Sequence, residues 1–563
     1  VMPLNRLWRR QLDHYPSAPK RYSYLAITVL CTVVLYYELY VQGAVATTIM
    51  SALGASFGEF VAIAVIGNLL GAFASLAAGL ADRWGRANLV VAGLLITGML
   101  VLFGLPAASS FGVYSCLFVL LCVVEGVVLV ATPALIRDFS PQLGRASAMG
   151  YWTLGPVLGS ILVTTVSSRT AASHPEWQFQ FRVCGTIGLL AATIALLGLR
   201  ELAPRLRDQL MVSLGDRRLI EARAGQIDPV RALRGHWRQM LRLDVLASAG
   251  AISVYLIFYY IAVGFFVVYF ATVFGYSEAR ANALAEWFWI SIALALPISG
   301  AISDRLRVRK PFMIAGGILS AGAVAVFAGL ATRPDTSYYQ FAIVLVVLGS
   351  GTGLAYCTWM AGFTETVERH NPAATATGLA VWAWINRLVV TVALAGFGLM
   401  LPAVSTLVDQ GHEVSRITTA YRSQLATLDS LTPATRAALA NGASDSRTRD
   451  DAVAQLLAGG GADEPTASAR VRQLADHPIP ETDQQFLRVH GPAVADAERR
   501  NPAQWQRWWL VCLAGQLVFI PLTFVMSGRW SPKQARLDEA RHRAEVERHL
   551  AELGLSEAVQ EAK

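Results

Sequence analysis

Twelve long apolar runs dominate this chain. They lie at Tyr24–Ala46, Glu59–Ala81, Asn88–Ala108, Val113–Ile136, Ala146–Ser168, Val183–Leu199, Val245–Phe274, Asn282–Ser303, Pro311–Ala331, Tyr339–Phe363, Ala374–Pro402 and Trp508–Ser527. Each is long enough for a helix to cross a hydrocarbon core ~30 Å thick. Inside that core a backbone has to satisfy its own hydrogen bonds, so helices are the form such runs take. Composition agrees: 54% of the residues are apolar, 15% are charged, and mean hydropathy is +0.44. Soluble domains carry about 25% charged residues. The balance argues against a soluble enzyme, a disordered scaffold or a fibrous rod.

The positions of the basic residues account for the net charge of +8 without nucleic acid. Arg6, Arg9, Arg10, Lys20 and Arg21 precede the first run, and Arg83 and Arg86 follow the second. Arg305, Arg307, Arg309 and Lys310 follow the eighth, and residues 200–243 hold ten arginines against five acids. If the spans alternate, all these clusters lie on one side, and basic short loops stay cytoplasmic. Both termini are therefore expected inside, in a multi-pass inner-membrane protein. Ala44-Val45-Ala46 mimics a signal-peptidase site, but the run is long and many spans follow, so it reads as uncleaved.

The six cysteines and nine histidines show no metal-ligand spacing. No phosphate-binding loop and no nucleophile–base constellation stands out either. The expectation is therefore no enzyme, no cofactor, no metal and no nucleic-acid partner.

The two sets of six spans rhyme. The second span ends in Ala78-Gly79-Leu80-Ala81-Asp82-Arg83-Trp84-Gly85-Arg86, and the eighth in Gly300-Ala301-Ile302-Ser303-Asp304-Arg305-Leu306-Arg307. Ala148-Met149-Gly150 in span five matches Ala376-Thr377-Gly378 in span eleven. Such duplication fits parallel repeats about an axis along the membrane normal. The doubled Asp-Arg turn resembles the hallmark cytoplasmic loop of the major facilitator superfamily, with Ala78 where that family prefers Gly and Ala87 where it has a basic residue. Arg200-Glu201-Leu202-Ala203-Pro204-Arg205-Leu206-Arg207-Asp208 is similar to actinobacterial members of the family. The resemblance implies a secondary transporter working by alternating access. Asp82, Arg83, Gly85, Arg86, Asp304 and Arg305 are then expected to form a cytoplasmic gate, with carboxylates latching the halves.

Ionisable residues within spans are rare, and they face a cavity or a partner. Glu38 stands in Tyr36-Tyr37-Glu38-Leu39-Tyr40 of span one, Glu125 in span four and Arg387 in span eleven. A carboxyl at such depth calls for a partner or a proton, whereas an arginine keeps its charge and calls for an anion or water. In the family's drug antiporters an Arg and a Gln precede the Gly that matches Gly126. Cys122 and Glu125 stand there in this chain, so the arginine linked to proton transfer is missing and Glu125 takes over part of its role. The expected proton and substrate cavity comprises Glu38, Glu125 and Arg387 with Tyr36, Tyr37, Tyr40, Asn68, Tyr259, Trp359 and Trp384. Gly155, Pro156 and Gly159 in span five resemble the core of the antiporter motif and permit a bend.

The expected fold class is an all-α integral membrane protein, with twelve transmembrane helices in two pseudo-symmetric halves. Its parts are a basic cytoplasmic terminus (1–23), an N-terminal half (24–200), a central loop (201–243), helices seven to eleven (244–402), an extracytoplasmic helical insertion (403–504), helix twelve (505–528) and a charged helical tail (529–563). In the insertion, Leu407, Val414, Tyr421 and Leu428 recur every seven residues, and Thr432-Pro433 starts a further helix. The expected function is proton-coupled export of an amphipathic drug or metabolite. The alternatives are uptake of an organic anion held by Arg387, or a non-transporting sensor whose insertion meets an envelope partner. The expected partners are a small-molecule substrate, protons and the lipid bilayer.

Overall fold

The computed structural model describes residues 10–75, 85–139, 145–203, 240–370, 375–440, 446–459 and 463–526, with scattered residues of the tail up to 548. Asp82 and Arg83, most of the central loop and most of the tail helix expected over 534–553 lie outside the described residues. Twelve long helices carry the chain: α1 (Ala18–Ala44), α2 (Phe57–Ala74), α3 (Arg86–Met99), α4 (Phe111–Phe139), α5 (Arg145–Thr170), α6 (Trp177–Gly198), α7 (Leu243–Phe274, interrupted at Leu256), α8 (Glu278–Leu306), α9 (Lys310–Leu330), α10 (Tyr338–His370), α11 (Thr375–Met400) and α12 (Glu481–Val525). Among the described residues, eleven of these are long and apolar enough to cross a membrane. The remaining one, α5, is richer in Ser, Thr and Gly.

Local chemistry sets the helix ends. Ser56 and Glu59 form a reciprocal capping box at the start of α2, with Ser56 N donating to Glu59 Oε2 at 2.8 Å and Glu59 N donating to Ser56 Oγ at 3.2 Å. Ser277 caps α8, and Gly275 ends α7 at φ 64°, a left-handed turn that suits glycine. The expected span of helix twelve begins at 505, but α12 starts at Glu481 and continues past Pro492. A proline there removes one amide donor and leaves the rest of the ladder to hold the helix.

Residues up to Met400, with those from Ala503 onward, form one compact unit, and Leu401–Pro502 forms a second. In the first unit, Leu190, Leu197, Leu294, Ile298, Val392 and Leu399 lie exposed, whereas Glu38, Glu125, Thr132 and Gln516 are buried. A long apolar exterior around a core that also buries ionisable side chains is what a multi-pass membrane protein shows. The N-terminal half packs a core of Val34, Leu35, Val90, Leu94, Leu129, Leu135 and Ala192 between α1, α3, α4 and α6. The C-terminal half is filled by aromatic rings, with Phe258, Phe266, Tyr269, Phe327 and Trp509 meeting at 5.0 to 6.2 Å.

The repeat is visible at the helix ends. Arg86, opening α3, holds both oxygens of Asp138 at the end of α4 (3.0 and 2.9 Å), and its amide donates to Glu201 at 2.7 Å. Arg309, before α9, pairs with Asp304 at 2.5 Å and with Glu365 near the end of α10 at 3.1 Å, while its amide donates to the Arg529 carbonyl. The same clasp thus occurs once in each half. The N-terminal segment joins it: Gln11–Leu12 pairs in parallel with Glu201–Leu202, and buried Arg10 donates to the carbonyls of Ala195 and Leu199. Arg86→Ala is expected to cost about 2–3 kcal/mol, since Asp138 is only 11% exposed. Arg309→Ala is expected to cost less, because Asp304 and Glu365 are each 47% exposed. Thermal unfolding of the solubilised variants checks that order.

The second unit is a set of short helices: Pro402–Thr406, His412–Ala420, Arg422–Asp429, Pro433–Ala440, Ser446–Ala458 and Glu464–Asp476. They enclose Leu431, Leu439, Ala452, Leu456, Ala467 and Val471, with a smaller cluster at Leu428, Leu474 and Ile479. The seven-residue repeat is interrupted at Tyr421, where φ is −113° and one helix gives way to the next.

Candidate functional site

The site is built where small residues let helices approach. A Cβ on Gly126 would meet the Gly71 carbonyl oxygen at 2.4 Å, so α4 crosses α2 in near contact beside Glu125. A Cβ on Gly159 would meet Tyr36 Cβ at 2.8 Å, and one on Gly155 would meet Thr32 Cγ2 at 2.5 Å. Gly155 and Gly159 therefore press α5 against α1 at Tyr36. Pro156 lies within α5, and its carbonyl accepts from Ser160 Oγ at 3.0 Å. Gly126→Ala is expected to destabilise by about 1–3 kcal/mol through overpacking, read as a lower melting temperature and yield.

Arg387 reaches across from α11 to this crossing. Its Nη1 lies 3.2 Å from the position a Gly71 Cβ would take, close to the Cys122 backbone. Its guanidinium makes no ion pair and no side-chain hydrogen bond among the described residues. Its own turn is anchored, because Asn68 Nδ2 on α2 donates to the Arg387 carbonyl at 3.1 Å and to Thr391 Oγ1 at 3.0 Å.

Around this cation stand hydroxyls and rings from both halves. Tyr36 is within electrostatic reach of Arg387, Glu125 and Tyr260. Tyr36 and Tyr40 pack at 5.4 Å on one face of α1. Tyr260 accepts from Asn386 Nδ2 at 2.7 Å, and Tyr259 meets Tyr260 at 5.3 Å and Trp289 at 4.9 Å. Tyr356, Trp382 and Trp152 extend the aromatic wall across the halves, with Trp152 and Trp382 6.4 Å apart. Trp384 packs on Phe73 at 5.4 Å. Trp359 is fully buried, and its Nε1 donates to Ser248 Oγ at 3.0 Å, which ties α10 to α7.

Glu125 is 1% exposed, and neither of its carboxylate oxygens has a hydrogen-bond partner among the described residues. Arg387 lies within its electrostatic reach, but the two make no ion pair. Glu38 and Tyr37 stand apart from the tyrosine group. The Glu38 carboxylate faces α6 and α3, with Oε1 2.0 Å from where a Gly188 Cβ would be and Gly98 alongside. Thr97 is the neighbouring hydroxyl, and it bonds to the Leu94 carbonyl at 3.4 Å. Glu38 and Glu125 lie within electrostatic reach of one another, with Cys184 near both. The sequence reading thus grouped Glu38 with the tyrosines, and the structure separates them. That reading gave no role to Tyr356 or Asn386, which the structure brings into the wall.

Of the expected gate, Gly85, Arg86, Asp304 and Arg305 are described. Gly85 has φ 92°, and a Cβ on it would meet Glu201 Oε1 at 2.4 Å, so only glycine fits beside the clasp. Arg305 is exposed. The ion pairs seen at Arg86 and Asp304 each join helices of one half. No group of three or more His, Cys, Asp or Glu side chains able to hold a metal occurs among the described residues.

Twelve long helices in two repeated halves are the architecture of a membrane transporter. Residues 28–384 match the family model of the Major Facilitator Superfamily, and the chain belongs to that family. It is similar to the probable nitrate/nitrite transporter NarK2 of Mycobacterium tuberculosis, with 24% identity over 361 residues, covering 62% of this chain and 81% of that protein. Among solved structures, it is similar to a bacterial homolog of the human lysosomal transporter Spinster in an inward-facing, occupied conformation. The TM-score there is 0.54 at 16% identity, over 90% of this chain and 97% of that one. A D-xylose–proton symporter gives a TM-score of 0.50 at 14% identity, over 67% of this chain and 90% of that one. The chain is therefore a transporter and not an enzyme.

Proposed function

We propose that this transporter moves a small organic anion bearing an apolar or ring portion, and that a proton travels with it. The observation that carries the reading is Arg387: a permanent cation on the long apolar helix α11, without an ion pair among the described residues, with Tyr36 and Tyr260 within its electrostatic reach. A lone guanidinium in a low-dielectric site is costly unless an anion or water answers it. Carboxylates and related anions fit its planar fork, and the hydroxyls of Tyr36 and Tyr260 add donors. The aromatic wall of Trp152, Trp382 and Tyr356 favours a cargo with an apolar part over a purely polar one.

Glu125 supplies the coupling. As a carboxylate it competes with the cargo for the field of Arg387, and once protonated it leaves that field to the anion. Proton and anion then bind better together than apart, which is the requirement for coupled movement. The similar proteins bear names that fit either element, an inorganic anion for one and a proton for the other. Export of a neutral amphipathic molecule, the first expectation from the sequence, gives Arg387 no such task. In this reading the basic clusters keep both termini on the cytoplasmic side of the cell membrane.

Reconstituted vesicles containing a trapped pH dye test the reading. Adding nitrate, benzoate, phenylacetate, succinate or benzenesulfonate outside is expected to give protein-dependent acidification for at least one anion, and xylose is expected to give none. Protein-free vesicles correct for neutral-acid diffusion. No protein-dependent proton movement with any of the anions overturns it.

A further inference from the structure

The face opposite the Arg86 and Arg309 clasps is held shut by one side of α8. Glu278, Asn282 and Glu286 are spaced four residues apart, so they stand in a row along two turns of that helix. Each reaches the N-terminal half. The Glu278 carboxylate accepts from Thr47 Oγ1 and, at 3.0 Å, from the Thr48 amide just beyond α1. Asn282, 2% exposed, donates through Nδ2 to the Ala44 carbonyl at the end of α1, at 3.0 Å. Glu286 accepts from Thr165 Oγ1 of α5 at 2.5 Å and from Arg169 Nη1 at 3.3 Å.

Apolar contact at the same face shows how closely the halves approach. Phe57 and Phe60 of α2 meet Phe265 of α7 at 6.0 and 6.3 Å, and Phe57 meets Phe397 of α11 at 5.9 Å. A Cβ on Gly43 would lie 2.2 Å from the Val263 carbonyl oxygen, so α1 and α7 touch backbone to backbone there. Rings of this kind separate without leaving an orphaned polar atom. Carboxylates and amides do not, because every bond broken has to be replaced by water. Opening the face therefore costs the charge-assisted bonds of the row in addition to the apolar area that becomes exposed.

The geometry points to Glu278, Asn282 and Glu286 as positioning residues for alternating access, forming a polar lock that stabilises the state in which this face is shut. By the charge of the loops this is the outer face. The lock acts on the conformational equilibrium and not on cargo, so it stands whatever the central site carries. Hydrogen bonds to ionised groups are strong enough that losing one such bond should change the open-to-shut ratio by about tenfold.

Spin labels test this without a substrate. They are placed at Ser109 and Asp335, both exposed on loops of opposite halves at this face, in a background in which Cys116 and Cys357 are serine. Distances are measured in lipid nanodiscs. The parent protein is expected to give a short-distance majority, and Glu278→Ala with Glu286→Ala a longer-distance population raised at least tenfold in ratio. If that double variant folds poorly, Thr47→Val with Thr165→Val decides by the same criterion, since it removes the two hydroxyl donors of the other half and keeps the charges. A folded variant that keeps the parent distance distribution overturns the proposal, including the case in which only its melting temperature falls. Failure here would leave the reading of Arg387 untouched, because no cargo is present.

Discussion

Replacing Arg387 with alanine is expected to abolish substrate-dependent transport and to lower anion affinity by roughly 100-fold or more. That size follows from removing one member of a desolvated charge pair, which costs about 2–5 kcal/mol. Folding should survive, because the guanidinium makes no ion pair among the described residues and the turn around it is held through its backbone carbonyl by Asn68. Arg387→Lys keeps the charge but loses the planar fork and should retain only part of the affinity. Binding of the panel anions to solubilised protein, followed by thermal stabilisation, gives the measurement. An alanine variant still stabilised by the same anions at the same concentrations would remove Arg387 from the site.

The second large effect concerns Glu125. Glu125→Gln is expected to abolish accumulation driven by a pH gradient while leaving anion exchange in place, since the neutral amide imitates the protonated acid. Its two carboxylate oxygens make no hydrogen bond among the described residues, so an amide of the same shape breaks none of the contacts described. Glu38→Gln should behave differently. Its carboxylate is wedged against Gly188, away from the tyrosine wall, and a change there acts first on the packing of α1, α3 and α6. Exchange and accumulation should fall together in that variant. Transport in vesicles with and without an imposed gradient separates the two patterns. Accumulation at the parent level by Glu125→Gln would place the coupling elsewhere.

The contrast between these two acids marks where sequence reasoning stops. Hydropathy reports how deep a residue lies along a span, which is why Glu38, Glu125 and Arg387 stand out as charges among apolar neighbours. It does not report the direction a side chain takes around the helix. Each residue turns by about 100°, so Glu38 lies about 200° from both Tyr36 and Tyr40. That arithmetic was available in the sequence and separates the acid from the tyrosines it was grouped with. The i, i+4, i+8 spacing of Glu278, Asn282 and Glu286 was also there to be read, but it sits at a span end, where polar residues draw no notice. The twelve-helix fold and the family were legible because each rests on many residues at once. The partners of Trp359 were not, since the tryptophan and Ser248 are brought together only by the packing of α10 on α7.

The gate illustrates a related limit. A pair of Asp-Arg turns in sequence points to equivalent places in two halves, but not to what each place touches. In the structure, Arg86 and Arg309 close equivalent clasps within their own halves, each binding the acid near the end of the following helix. The ion pairs of Arg86 and Arg309 thus lie within the halves, and the polar row on α8 bridges the halves at the opposite face.

Proton uptake on anion binding tests the central claim most directly. The panel anion that stabilises the purified protein most is titrated by calorimetry in two buffers of different ionisation enthalpy at one pH. The account predicts uptake of about one proton per anion by the parent protein, and binding without uptake by Glu125→Gln. Anion binding without proton uptake in the parent, or uptake unchanged in Glu125→Gln, would contradict it.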